Sequence, residues 1–188
     1  MILFLDNFDS FTFNLVDYFY QLGIECEVVR NNIPPESLDW SKYNALVISP
    51  GPGTPKQAGY LFSYLAYALG KIPVLGICLG HQAIGEFFGA ELKTGNVPVH
   101  GKVSLISHNY HPLFEGISQE FEACRYHSLE LVNLPSCLQS IAITHDGVIM
   151  IIRHTHFSVF GIQFHPEAIL TPCGLQLLQN WVNLELGK

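Results

Sequence analysis

Positive charge is scarce in this sequence of 188 residues. Only 9 Lys and Arg stand against 16 Asp and Glu, and charged residues make up 13% of the chain. A surface that binds nucleic acid needs clustered basic residues to neutralise phosphates, so we expect no nucleic-acid partner. The low charge, combined with a hydrophobic fraction of 48%, also excludes an intrinsically disordered chain.

Long apolar runs are lacking as well. No run reaches the roughly 18–20 residues that a membrane-spanning helix needs. The opening Met1–Asp6 carries neither the basic leader nor the apolar stretch of a secretory signal. The five cysteines form no Cys-x-x-Cys pair of the kind found in zinc and redox sites. We therefore expect a cytoplasmic protein that contacts no membrane.

The sequence also lacks a complete cluster of metal ligands. The pairs His108/His111 and His154/His156 have spacings that allow two histidines to share a metal ion. Metal sites usually need further ligands, and no carboxylate or cysteine cluster completes either pair. We expect neither a metal nor another cofactor.

The sequence does contain a regular alternation of short apolar runs with longer segments of helical periodicity. This alternation predicts an α/β fold in one domain, residues 1–188, with an open, mostly parallel central sheet flanked by helices. In the first helix, Asp9 and Ser10 offer N-cap oxygens and Gly23 supplies the stop. The first half predicts strands at Ile2–Leu5, Glu25–Val29, Ala45–Ser49 and Pro73–Ile77, and helices at Phe11–Leu22, Ala58–Leu69 and Gly80–Phe88.

After Gly89 the apolar segments become shorter and more extended. They predict a smaller region of mixed or antiparallel strands, followed by a closing helix. The predicted elements of this half are strands at Val103–Ser107, Phe121–Arg125, Ser140–Thr144, Val148–Arg153 and Val159–Gln163, and a helix at Gly174–Leu186.

One cysteine occupies a position that suits a nucleophile. Cys78 follows an apolar strand and precedes a helix in the pattern Gly76-Ile-Cys-Leu-Gly80, which is the form of a nucleophile elbow with Cys in place of Ser. The two glycines leave room for a tight, strained turn, and a sulfur at a helix N-terminus is favoured as a thiolate. We predict that Cys78 is a nucleophile; the alternative is an inert buried thiol.

A nucleophile of this kind needs a base, and the base needs a group that orients it. His165 ends an apolar strand and is followed by Pro166-Glu167, at the strand end where open α/β sheets build their sites. We predict that His165 is the base and that Glu167 orients it. The alternative is a histidine at the rim of the sheet beside a solvated glutamate.

A rigid loop, Ser49-Pro-Gly-Pro-Gly-Thr-Pro55, follows the third predicted strand. It lacks the lysine and the glycine spacing of phosphate-binding loops. Its prolines fix the path of the chain while the glycines keep bare N–H groups, as an oxyanion hole requires. We predict that the N–H groups of Gly53 and Leu79 form such a hole; the alternative is an ordinary turn.

Three segments together resemble the signatures of the class I, triad-type glutamine amidotransferases. They are Pro50-Gly-Pro-Gly-Thr-Pro55, Gly76-Ile-Cys-Leu-Gly-His-Gln82 and Gly161-Ile-Gln-Phe-His-Pro-Glu167. Within that family, the chain is similar to the glutaminase subunits of anthranilate synthase and aminodeoxychorismate synthase. That narrower similarity rests on Leu5-Asp-Asn-Phe-Asp-Ser-Phe-Thr-Phe-Asn14, His100-Gly-Lys102 and Arg125-Tyr-His-Ser-Leu129.

The resemblance implies a function and a set of site residues. Cys78 would form a γ-glutamyl thioester with glutamine, His165 would act as general base and acid, and Glu167 would orient His165. The released ammonia would pass to a chorismate-binding synthase subunit, component I, which we expect in trans because the glutaminase fold uses the whole chain. The implied glutamine-binding residues are Gly51, Pro52, Gly53, Leu79, Gln82, Ser128 and Leu129.

Two departures from the family pattern, and two other possible functions, also have to be considered. Ala168 stands where the family commonly has Ser, and Val97–Val99 replaces a different stretch before His100. A stand-alone thiol hydrolase on the same fold, such as a γ-glutamyl hydrolase or peptidase, would need no partner. A non-catalytic binding module would carry the same three segments without using them.

Overall fold

The computed structural model describes residues 1–95 and 101–187. Its helices are α1 (Thr12–Gln21), α2 (Leu61–Ala68), α3 (Leu79–Phe88) and α4 (Gly174–Leu186), with short 3-10 helices at Pro35–Ser37, Trp40–Lys42, Pro55–Gln57 and Pro112–Phe114. Its strands are β1 (Ile2–Asp6), β2 (Cys26–Arg30), β3 (Ala45–Ile48), β4 (Val74–Ile77), β5 (Glu91–Thr94), β6 (Lys102–His108), β7 (Glu120–Arg125), β8 (Leu129–Val132), β9 (Leu138–Thr144), β10 (Ile149–His154) and β11 (Val159–Ile162).

The central sheet has two halves of different character. Strands β2, β1, β3, β4 and β11 lie side by side and run parallel. Strands β10, β9, β6 and β7 continue the same sheet with antiparallel pairing, while β5 and β8 form a separate antiparallel pair. The predicted α/β class, with a parallel sheet extended by a mixed strand region, is confirmed.

The parallel half is buried because helices cover both of its faces. Every residue of β1, β3, β4 and β11 is buried, as expected for parallel strands between two helical layers. Phe19 of α1 and Trp181 of α4 belong to the core on one face, whereas Leu61 of α2 and Ile84 of α3 belong to the core on the other. The carboxyl ends of these strands therefore form a rigid edge.

The structure corrects the predicted starts of two helices. Neither Asp9 nor Ser10 caps α1, which begins at Thr12 after Phe11. The Asp9 carboxylate instead accepts a hydrogen bond from the N–H of Phe11 (2.8 Å) in the preceding turn. Helix α2 begins at Leu61 rather than Ala58, because Gly59 takes a left-handed conformation (φ 53°) that interrupts the helix.

Two strands, β5 and β8, were not predicted. Strand β5 reads Glu-Leu-Lys-Thr and is largely exposed, so it has no apolar alternation to reveal it. Both strands are four residues long and, within residues 1–95 and 101–187, pair only with each other. In the described parts of the chain, no helix combines the length and the apolar character needed to cross a membrane.

Candidate active site

Cys78 lies in a strained turn between β4 and α3. It is the N-cap residue of α3 and takes φ 50° and ψ −97°, a conformation that side chains rarely adopt. A side chain at Gly76 would collide with the backbone of Gly80, and a Cβ at Gly80 would lie 2.6 Å from the carbonyl oxygen of Ile48. The flanking glycines are therefore required for the turn that presents the sulfur.

The sulfur of Cys78 is held at the edge of the core. The residue is 7% exposed, and its N–H donates to the carbonyl oxygen of Ile162 on the neighbouring strand (2.7 Å). The Gln163 side-chain nitrogen lies 3.6 Å from Sγ. The helix that starts after Cys78 places free N–H groups and a positive dipole end next to the sulfur, which favours an anion there.

His165 and Glu167 form a buried pair beside this sulfur. Nδ1 of His165 lies 2.6 Å from Oε1 of Glu167, and the two side chains are 3% and 0% exposed. Burial alone would lower the pKa of His165, but the nearby Cys78 sulfur and the Glu167 carboxylate outweigh it and raise that pKa to about 10. The imidazole therefore holds its proton at neutral pH.

The other ring nitrogen of His165, Nε2, faces the sulfur of Cys78. It is buried and makes no well-aligned hydrogen bond with any residue in the described ranges, although Cys78 is close enough to affect the charge of the ring. The rings of Tyr126 and Phe11 pack edge-on against the imidazole, with centroids 5.1 and 5.5 Å away. These contacts leave the imidazole with little freedom to turn.

Main-chain and hydroxyl contacts fix the His165 backbone. Its N–H donates to the carbonyl oxygen of Cys124 (3.0 Å), and its carbonyl accepts from the Thr171 hydroxyl (2.8 Å). The N–H of Ala168 also donates to the His165 carbonyl (3.3 Å). Residue 168 thus contributes its main-chain N–H to this turn. Alanine supplies that donor as well as serine would.

The Pro/Gly loop packs directly onto the nucleophile turn. A Cβ at Gly51 would lie 2.5 Å from Cβ of Asn7 and 2.6 Å from Cδ2 of Leu79, so only glycine fits there. Asn7 holds the loop through hydrogen bonds from its Nδ2 to the carbonyl of Ser49 and from its N–H to the Ser49 hydroxyl, both 2.9 Å. Gly53 takes φ 74° at the tip of the loop.

A cavity of about 210 Å³ opens between the loop and the nucleophile turn. Six of the seven residues predicted to bind glutamine line it together with Cys78. The seventh, Leu79, is 1% exposed and lies behind Cys78 and Gly51. The lining consists of Gly51, Pro52, Gly53, Cys78, Gln82, Tyr126, His127, Ser128 and Leu129.

Sequence reasoning missed several side chains that the structure brings to the site. Gln163 and Thr171 contact Cys78 and His165, while Tyr126 and His127 line the cavity. The segment Arg125–Leu129 stands out in the sequence only for its resemblance, and its individual side chains carry no separate signal. Val97–Val99 and His100 lie outside the described residues.

The chain is similar to known proteins over most of its length. The family model of the class-I glutamine amidotransferases matches residues 3–184. The chain is 46% identical over 187 residues to anthranilate synthase component 2 of Mycobacterium tuberculosis, a match that covers 96% of this chain and 81% of that protein. It is 43% identical over 185 residues to the aminodeoxychorismate/anthranilate synthase component 2 of Bacillus subtilis, covering 97% and 95%.

A solved structure supports the fold independently. A candidate GMP synthase protein from Thermoplasma acidophilum superimposes with a TM-score of 0.88 at 26% sequence identity. The match covers 99% of this chain and 94% of the other. The sheet, its helices and the strand region that follows them are therefore shared with a protein of known structure.

Proposed function

Because the chain belongs to the class-I glutamine amidotransferase family, we propose that it releases ammonia from glutamine for a chorismate-using synthase. It is the glutaminase subunit of an anthranilate or aminodeoxychorismate synthase. The observation that carries the site assignment is the contact of one buried Cys78 sulfur with a buried His165–Glu167 pair at the mouth of a small cavity.

In the first half of the reaction, the Cys78 sulfur attacks the side-chain carbonyl carbon of glutamine. The negative charge that develops on the carbonyl oxygen is stabilised by the N–H groups of Gly53 and Leu79. His165, protonated at rest, gives its proton to the departing nitrogen, and the carbon–nitrogen bond breaks. Ammonia leaves, and a γ-glutamyl thioester remains on Cys78.

In the second half, water replaces ammonia. Neutral His165 removes a proton from the water as its oxygen attacks the thioester carbon, the carbon–sulfur bond breaks, and glutamate is released. The imidazole recovers the proton that it lost, so Cys78 and His165 return to their resting state. Glu167 keeps the ring in one orientation throughout, because its carboxylate accepts from Nδ1.

The names of the relatives favour a synthase subunit over a stand-alone hydrolase. A stand-alone γ-glutamyl hydrolase or peptidase would need no partner. The two relatives described above are named as component 2 of a synthase, which supports a separate synthase partner.

Exposed apolar side chains mark where that partner would dock. Ile169 and Leu170 follow the catalytic segment directly and are 92% and 48% exposed. Phe8 and Phe13 flank Phe11, whose ring contacts His165, and are also exposed. Because clustered apolar side chains on a protein surface mark interaction sites, we assign this surface to the synthase partner, which would receive ammonia there.

The experiment is reconstitution with each of the two candidate synthases. With glutamine as the nitrogen donor, the wild-type chain should support formation of anthranilate or aminodeoxychorismate, and Cys78→Ser should not. Added ammonium salt should restore product with Cys78→Ser, which shows that the synthase itself is still active. Glutamine-dependent product from Cys78→Ser would refute the assignment of the nucleophile.

A further inference from the structure

Gln163 is a buried side chain that the mechanism above does not use. It is 0% exposed and directly follows β11, and its N–H donates to the carbonyl oxygen of Met150 (2.8 Å). Its carboxamide has two different neighbours. Nε2 lies 3.6 Å from the sulfur of Cys78, and Oε1 lies 3.3 Å from Nε2 of Gln82.

The orientation of both amides follows from one main-chain carbonyl. Gln82 Nε2 also lies 3.3 Å from the carbonyl oxygen of Leu129, which can only accept a hydrogen bond. Gln82 must therefore present its NH₂ group on this side. Gln163 must then turn its oxygen towards Gln82 and its NH₂ group towards Cys78. The NH₂ group of Gln163 therefore faces the Cys78 sulfur. Its direction is fixed by the contact of Gln163 with Gln82 and of Gln82 with the Leu129 carbonyl.

We propose that Gln163 is a positioning residue: its amide N–H holds the Cys78 sulfur, while its amide oxygen fixes Gln82 in the glutamine cavity. This inference rests on the proposed role of Cys78 as nucleophile. A hydrogen bond to an ionised acceptor is roughly twice as strong as one between neutral groups, so the donor stabilises the thiolate more than the thiol. It also opposes rotation of the sulfur into the core.

The same amide links substrate recognition to the nucleophile. Because the Gln82 nitrogen is directed at Leu129 and Gln163, its oxygen is left to accept from a donor in the cavity, such as the α-ammonium group of glutamine. Loss of Gln163 should therefore affect both the reactivity of Cys78 and the binding of glutamine. Two substitutions separate these effects.

The test compares Gln163→Glu with Gln163→Met. A glutamate carboxylate still accepts from Gln82 but gives no donor to the sulfur, whereas methionine fills the space without either contact. The readout is the rate at which iodoacetamide modifies Cys78 over a pH series, followed by mass spectrometry of the Cys78 peptide. The titratable groups facing the sulfur are His165 and, across the cavity, Tyr126 and His127, and all three are unchanged in both variants.

We expect Gln163→Met to move the alkylation midpoint upward by about one pH unit, a tenfold loss of reactive sulfur below the midpoint. Gln163→Glu should move it further, because its carboxylate also repels the thiolate. The KM for glutamine, measured in the reconstituted complex, should rise in Gln163→Met and stay close to wild type in Gln163→Glu. A role in packing alone would not separate the two variants in this way.

Asn180→Leu is the matched control. Asn180 is also a buried amide, and it donates to the carbonyl oxygens of Leu113 and Glu115 on another part of the molecule. Its loss should lower stability without moving the midpoint. The proposal is overturned if neither Gln163 variant moves the midpoint further than Asn180→Leu does. Failure of the proposed function would look different, because Cys78→Ser would then retain glutamine-dependent synthesis.

Discussion

At the scale of single residues, the proton on His165 depends on its two flanking groups. The Cys78 sulfur and the Glu167 carboxylate together raise the pKa of the imidazole to about 10, against the opposing effect of burial. The protonated ring is the form that can give a proton to the departing ammonia. Activity should therefore persist to high pH and decline as the imidazole loses its proton.

Glu167→Gln tests this dependence. The amide keeps the size of the side chain and an acceptor for Nδ1 but removes the negative charge, so the pKa of His165 should fall. We expect the alkaline limb of the pH profile of kcat/KM for glutamine to move to lower pH. Turnover should drop by about 100- to 10,000-fold, the range found when an orienting carboxylate or a general acid is impaired.

Ammonia-dependent synthesis by the same complex is the internal control for Glu167→Gln. It does not use the glutaminase site, so it should equal that of the wild type. An unchanged alkaline limb would contradict the role given to Glu167, even if turnover fell.

At the scale of elements, helix α3 carries a buried histidine that makes its packing sensitive to acid. His81 is 0% exposed, and neither ring nitrogen has a well-aligned partner within the described residues. Burial lowers its pKa from 6.5 to about 3. Between pH 6.5 and about pH 3, His81 is protonated in the unfolded chain but neutral in the folded chain. The free energy of unfolding is therefore highest above pH 6.5 and falls as the pH drops towards 3.

His81→Leu should remove this loss of stability in acid. Between about pH 7 and about pH 5, the free energy of unfolding of the wild type should fall by about 2 kcal/mol more than that of the variant. Urea unfolding at the two pH values measures the difference. Burial also lowers the pKa of His111 and His154, but both proteins contain these residues, so their contribution cancels. Parallel losses in the two proteins would show that His81 is not the group responsible.

The elements also show how far the sequence alone determines the site. The turn between β4 and α3 was predictable, because Gly76 and Gly80 are required by the close packing of the backbone around Cys78. Strands β5 and β8 were not, because each segment is only four residues long and is paired only with the other among the described residues. Periodicity reports which face of an element is buried and does not report its neighbours.

Long-range contacts explain why the sequence did not reveal the residues that surround Cys78. Gln163 and Cys78 are 85 positions apart, and they meet because β11 pairs with β4 in parallel. A glutamine just after an apolar strand gives no indication in the sequence that it makes such a contact. Cys78, His165 and Glu167 could be proposed from the sequence because their residue types limit the chemistry that they can perform. The amides and hydroxyls that hold them have no such restriction.

At the scale of the whole molecule, the parallel sheet gathers the reactive groups and the exposed apolar side chains at one edge. The turn after β4 holds Cys78, and the segment after β11 holds His165 and then Ile169. A partner that covers Ile169 would therefore lie beside the cavity from which ammonia leaves. Association and ammonia transfer should then depend on the same surface.

Ile169→Asp tests this dependence. The side chain is 92% exposed, so a charge there should not change the stability of the free chain. Burying an isoleucine at an interface contributes about 1.5–3 kcal/mol, so affinity for the synthase partner should fall by about 10- to 100-fold. Leu184→Asp is the matched control, because Leu184 is also exposed (41%) but lies at the end of α4. This end of α4 lies near Met1, at the amino ends of the strands. Titration calorimetry with the synthase partner measures both variants, and equal affinities would place that partner elsewhere.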